Sequence, residues 1–193
     1  MAFVNQARRE ITFKIVYYGA GLSGKTTNLH YLHGTANPKS RGKMFSLKTD
    51  TERTLFFDYL PMQFGKIRDF QIRFQLYTVP GQIFYNSSRK VVLKGVDGVV
   101  FVADSDPSRF ESNIESLYNL EQNLSEHGYA LKQLPHVMQY NKRDLFEVVE
   151  LGYLNAQLNR YGASYTQASA ITGAGVPETL KKVTLQIVKE FRI

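Results

Sequence analysis

Hydrophobic and polar positions alternate along this chain with two different periods. Residues 10–19 (EITFKIVYYG) are rich in β-branched and aromatic side chains and close on glycine, which predicts a first strand. Phe70, Ile72, Phe74 and Leu76 alternate with Gln71, Arg73, Gln75 and Tyr77, the period of a strand with one polar face. That polar face predicts a sheet edge or a partner surface. Residues 96–103 (VDGVVFVA) and 136–140 (HVMQY) are nearly continuous apolar runs, the pattern of parallel strands covered on both faces. Between them Phe110, Ile114, Leu117 and Leu124 keep helical spacing behind an Asp106-Pro107 start. Val176, Leu180, Val183, Ile187 and Phe191 repeat that spacing near Pro177, and another helix is expected from Lys25. Strands alternating with helices predict an open, doubly wound α/β sheet, helices on both faces, with ligands at the C-terminal strand ends.

Composition narrows the class. A chain of 193 residues, 43% hydrophobic and 21% charged, with no low-complexity stretch, fits one globular domain over residues 1–193 rather than a disordered or fibrous polymer. No apolar run is long enough to span a bilayer, and Met1-Ala2-Phe3 carries no charged-then-apolar signal, so a cytoplasmic protein is expected. The absence of cysteine excludes disulfides, prenylation and palmitoylation, and Ala2 in place of glycine removes a myristoyl acceptor. Membrane association is therefore at most peripheral, with no lipid anchor. The net charge of +7 is scattered along the chain rather than gathered in a tract, so no specific nucleic-acid partner is expected.

The chemistry begins where the first strand ends. Gly19-Ala20-Gly21-Leu22-Ser23-Gly24-Lys25-Thr26 is a glycine, four residues, then Gly-Lys-Thr, placed between a strand and a helix. Glycines let backbone amides approach phosphate oxygens, and the helix N-terminus adds partial positive charge. Lys25 would reach the terminal phosphates; Thr26, with Thr27 beside it, opens the helix and offers a hydroxyl to Mg²⁺. This cradle alone does not choose a base.

Asn141-Lys142-Arg143-Asp144 follows the apolar strand 136–140 and does choose one. Asp144, ionised and acceptor-only, accepts from the ring N–H and exocyclic amine of guanine, a pair that adenine lacks on that edge. A buried carboxylate left unpaired would reject the wrong base by several kcal/mol, on the order of the desolvation cost. Lys142 would lay its stem on the base, Asn141 would brace neighbouring loops, and Ser169-Ala170 would offer a backbone N–H to the guanine carbonyl. An idle Asp144 would leave an ATP-using kinase or ATPase as the alternative.

Thr78-Val79-Pro80-Gly81-Gln82 resembles the Asp-x-x-Gly-Gln segment of small GTPases. Gly81 would present its amide to the γ-phosphate and Gln82 would orient the attacking water. Within Glu52-Arg53-Thr54, Thr54 is the candidate for a second Mg²⁺ hydroxyl. Arg53 is either an arginine finger acting in cis or a surface residue paired with Glu52 or Asp50.

The segments KIVYYG (14–19), ERTLFFD (52–58) and YTVPGQ (77–82) with Phe84-Tyr85-Asn86 resemble the MglA family of bacterial Ras-like GTPases over nearly the whole length. The resemblance implies a Ras-like P-loop domain with a six-stranded, mostly parallel sheet. It implies a switch that binds GTP or GDP with Mg²⁺, hydrolyses GTP slowly, and controls cell polarity and gliding motility through effectors. It implies stimulation by a homodimeric roadblock-domain partner, MglB, which inserts no arginine of its own. It also implies a cytoplasmic protein that concentrates at a cell pole when GTP-bound, and a strand before the second switch that slides on activation. Thr78 stands where most Ras-like proteins carry an aspartate that holds Mg²⁺ through water, so the metal site is expected to be looser or to lean on Thr26 and Thr54. Ile171 stands where many relatives have lysine. A non-hydrolysing guanine-nucleotide scaffold is the alternative function.

Overall fold

The structure is a computed structural model that describes residues 2–48, 54–81 and 85–191, with the backbone alone at residues 47, 48 and 54–56. Its elements run β1 (Phe3–Asn5), β2 (Glu10–Tyr18), α1 (Lys25–Thr35), β3 (Phe45–Lys48), β4 (Thr54–Ile67), β5 (Phe70–Thr78), α2 (Asn86–Leu93), β6 (Gly98–Asp104), α3 (Phe110–Glu126), β7 (His136–Asn141), α4 (Leu151–Leu158), β8 (Tyr165–Gln167) and α5 (Val176–Glu190). They form one twisted sheet in the order β3-β4-β5-β2-β6-β7-β8, with β1 pairing beside β2. The run β5-β2-β6-β7-β8 is parallel, and β4 joins it antiparallel.

The six strands β4-β5-β2-β6-β7-β8 match the number the resemblance implies, and β1 and β3 extend the sheet to eight among the described residues. β1 pairs antiparallel with the start of β2, Phe3 opposite Thr12, and β3 with β4, Phe45 opposite Tyr59. They are three and four residues long, too short for a hydrophobic period to show.

Two cores flank the sheet. α1 and α5 bury Leu29, Leu32, Leu180, Val183 and Ile187 against Phe13, Ile15, Phe74 and Val102 on one face. On the other, α2, α3 and α4 bury Leu93, Leu117, Leu120, Leu124 and Leu154 against Val16, Phe101 and Met138. The apolar runs of β6 and β7 lie between them and are buried at every position, as their lack of alternation requires.

β5 corrects the expectation of a sheet edge, because it lies between β4 and β2. Ile72, Phe74 and Leu76 are buried beneath α1 and α5, whereas Gln71, Arg73, Gln75 and Tyr77 are half-buried on the opposite face. The alternation reports that difference between faces. On the polar face Arg73 pairs with Glu10 at 2.8 Å, and Tyr77 packs on Tyr59 with ring centroids 4.9 Å apart.

Among the described residues no helix is long and apolar enough to cross a membrane. The parallel strands end along one rim at Tyr18, Asp104, Asn141 and Gln167, and the loops leaving that rim carry the motifs.

Phe74, 1% exposed, stacks on Phe13 and meets Phe64 edge-on, each at 5.3 Å. Phe74→Ala should lower the unfolding free energy by about 3–5 kcal/mol in urea titration at an unchanged m-value. A loss below about 1 kcal/mol would contradict this packing.

Candidate functional site

β2 delivers the chain to Gly19, whose φ of +147° turns it across β6 so tightly that a Cβ would meet the Val102 carbonyl oxygen at 2.3 Å. Leu22 takes a left-handed φ of +63° with its side chain in solvent, and Gly24, at φ +97°, starts α1. Among the described residues no side chain caps that helix and no acid occupies its first turn, an arrangement that suits an anion at its leading amides. Ser23 is buried beneath the loop, Thr27 is exposed on the first turn, and Ala20 and Lys25 are buried.

The Lys25 ammonium donates to the carbonyls of Gly19 (2.9 Å) and Ala20 (2.6 Å). Burial lowers its pKa to about 7, helped by the charges of Arg89 and Arg109 and opposed by those of Asp58 and Asp104. A lysine so placed gains charge stabilisation from any phosphate that enters.

The Thr26 hydroxyl donates to Asp58 Oδ2 at 2.5 Å. Asp58 sits on β4 directly across from Thr78, whose hydroxyl donates to Oδ2 and accepts from the Asp58 amide, each at 2.8 Å. Ser46 on β3 donates to Oδ1. Asp58 is fully buried, so the carboxylate missing at position 78 arrives from the next strand over. Sequence reasoning missed this residue, although a lone acid within the run Leu55-Phe56-Phe57-Asp58-Tyr59-Leu60 was its signal. These hydroxyl and carboxylate oxygens suit a hard cation such as Mg²⁺. No group of three His, Cys, Asp or Glu converges among the described residues, so an Mg²⁺ there would draw its other ligands from phosphate and water.

Arg53 and Gln82 lie outside the described residues, and Thr54 is described only as backbone, at the start of β4 opposite Lys48. Gly81 rests on the phosphate loop: a Cβ built on it would lie 2.2 Å from Gly21 Cα. Arg89 and Arg109, which carry no motif in the sequence, bind the backbone on either side of this contact.

The second motif is tied to the first through Asn141. Its Nδ2 donates to the Ser23 carbonyl at 2.7 Å, and its Oδ1 accepts from the Ala170 amide at 2.8 Å. The expected bracing role of Asn141 therefore has a geometry. The Ala170 N–H, expected to meet a guanine carbonyl, donates here to Asn141. Ser169 and Ala170 are both buried, and Ile171 is 77% exposed. Lys142, at φ +64°, places Nζ 2.7 Å from Asp104 Oδ2. Asp144, expected as a buried carboxylate, is exposed in the turn beyond β7.

Beneath the cradle lies a second polar layer. Asn28 and Gln139 exchange two amide hydrogen bonds of 2.9 Å, Gln139 also donates to Thr179 at 2.9 Å, and Thr179 meets Thr166 at 2.5 Å. All four are buried, and they tie α1, β7, β8 and α5 together below the loop.

The ADP-ribosylation factor family model matches residues 1–187. The chain is also similar to the mutual gliding-motility protein MglA of Myxococcus xanthus (strain DK1622), with 54% identity over 192 residues covering 100% of this chain and 98% of that protein.

A Cβ at Gly24 would meet Asn141 Nδ2 at 2.2 Å, whereas one at Gly95, also at positive φ, meets nothing within 4 Å. Gly24→Ala should weaken GDP binding on the order of a hundredfold, from the displaced hydrogen bond and the disfavoured φ together, and Gly95→Ala should leave it unchanged. Calorimetric titration of the two variants checks this; equal affinities would show that Gly24 and Asn141 do not shape the cradle.

Proposed function

The chain belongs to the ADP-ribosylation factor family of Ras-like small GTPases, and from that premise we propose that it is a GTP/GDP switch of cell motility and polarity, requiring Mg²⁺ and stimulated by a homodimeric roadblock-domain partner, MglB. The chain is a GTPase; the metal, the partner and the residue roles are the reading proposed here. Its similarity to a protein named for gliding motility supports the cellular role. The observation that carries the reading is the Asn141 bridge, which joins a guanine-selecting loop to a phosphate cradle distant in sequence.

In this reading the amides from Gly21 to Thr26 cup the phosphates, and Lys25 leaves its carbonyl partners for the terminal phosphate oxygens. Asp144 accepts from the guanine edge while Lys142 covers the ring. Thr26 and Thr54 would hold Mg²⁺, with the Asp58 carboxylate beside Thr26, and the metal would supply charge neutralisation to the phosphates. Gln82 orients a water in line with the γ-phosphorus; a P–O bond forms to that water as the bond to the β–γ bridging oxygen breaks, and the water's proton passes to a phosphate oxygen. Arg53, supplied in cis, neutralises the charge that gathers on the departing oxygen. A partner that inserts no arginine of its own would then act by placing Gln82 and Arg53. Concentration of the GTP form at a cell pole is part of the same proposal.

Phosphate release from GTP, with and without MglB, tests the assignment. The partner should accelerate the unmodified chain, and Gln82→Ala and Arg53→Ala should each lose at least about tenfold of the stimulated rate while GDP affinity stays within about twofold. Stimulated turnover at the unmodified rate in both variants would refute these roles.

A further inference from the structure

Among the described residues the second-switch segment meets the phosphate loop where Gly81 lies against Gly21. A Cβ on Gly81 would stand 2.2 Å from Gly21 Cα and 2.5 Å from Gly21 N, so Gly81 has no room for a side chain against the phosphate loop. Both sides of the contact are held by arginine. Arg109 Nη2 donates to the Gly21 carbonyl at 2.8 Å. Arg89 donates through Nη2 to the Gly81 carbonyl at 2.6 Å and through Nε to the Pro80 carbonyl at 2.8 Å.

Arg89 is held in an unusual way for a guanidinium. It is 2% exposed, and among the described residues no carboxylate lies within ion-pair distance of it. It also donates to Asn119 Oδ1 at 2.7 Å, which accepts from the Tyr18 hydroxyl at 2.6 Å. Its Cζ lies 5.5 Å from the Tyr18 ring centroid. Asn123 and Asn86 close this cluster from α3 and α2. Burying a full charge on neutral dipoles is costly, so the carbonyls that satisfy it are held firmly, and moving them leaves the charge short of acceptors.

A diphosphate and a triphosphate differ by one phosphoryl group, which must reach the Gly81 amide to be recognised there. While Gly81 lies against Gly21 that approach is closed, and opening it draws the Gly81 carbonyl away from Arg89. We propose that Arg89 and Arg109 form a clamp across the Gly21–Gly81 contact that sets the preference of the site for guanosine diphosphate over triphosphate. This rests on the guanine-nucleotide reading above and adds two specificity-determining residues to it. The competing effect has the opposite sign: two arginines acting simply as cations beside the phosphates would favour the more highly charged triphosphate. The geometry favours the clamp, since the donors of Arg89 are directed at backbone carbonyls and Asn119.

The test measures dissociation constants for GDP and for a non-hydrolysable GTP analogue, both with Mg²⁺, on the unmodified chain and on Arg89→Ala, Arg89→Lys and Arg109→Ala. The clamp predicts that each alanine variant shifts the affinity ratio toward the triphosphate by about tenfold, the scale of one charge-assisted hydrogen bond, and that Arg89→Lys lies between. General loosening weakens both ligands alike and leaves the ratio unmoved. Should Arg89→Ala fail to fold, Arg109→Ala, whose side chain is only half-buried, carries the test. An unchanged ratio, or a shift toward GDP, overturns the clamp. An unmodified chain that bound neither nucleotide would overturn the underlying reading instead.

Discussion

The site depends on one carboxamide. Asn141 closes β7 and is 1% exposed, and its two ends satisfy the Ser23 carbonyl and the Ala170 amide, groups from loops 118 and 29 residues away in sequence. Only a side chain that is donor and acceptor at once serves both; an aspartate of the same shape would offer no donor to Ser23. Losing the bridge would leave a buried acceptor and a buried donor unpaired, at about 1–3 kcal/mol each, within the loops that must hold still to receive a ligand. The Asn28–Gln139–Thr179 layer repeats this arrangement one level deeper, so the phosphate loop is joined to β7 both above and below.

On the other side of the cradle the chemistry depends on strand register. Asp58 reaches Thr26 because β4 lies against β5 with Asp58 opposite Thr78, and a one-residue slip would turn the carboxylate to the opposite face. The groups proposed to hold Mg²⁺ are therefore coupled to the position of a strand instead of being fixed at the end of β5. β4 already carries a register shift between Phe64 and Lys66 in its pairing with β5, so this pairing accommodates irregularity without losing the sheet.

What was legible in the sequence was local. The phosphate loop is eight consecutive residues between a strand and a helix, and the apolar runs of β6 and β7 announced their burial directly. What was not legible depends on pairings between strands or on backbone partners. Asp58 becomes meaningful only when β4 lies beside β5, and Arg89 and Arg109 bind carbonyl oxygens, which every residue possesses and no motif marks. The polar alternation of β5 suggested an edge because period-two patterning reports which face is covered, not which neighbours a strand has. Asp144 was expected to be buried because the role proposed for it needs a dry surrounding, whereas the protein itself leaves it exposed in the turn.

The bridge is the claim on which the account stands, and GDP titration into Asn141→Ala by calorimetry, with ADP as the reference ligand, tests it most directly. The account predicts that the unmodified chain binds GDP and not ADP, and that the variant loses about a hundredfold or more in GDP affinity as two loops lose their common anchor. A variant that bound GDP as tightly as the unmodified chain, or an unmodified chain that accepted both purines equally, would contradict it.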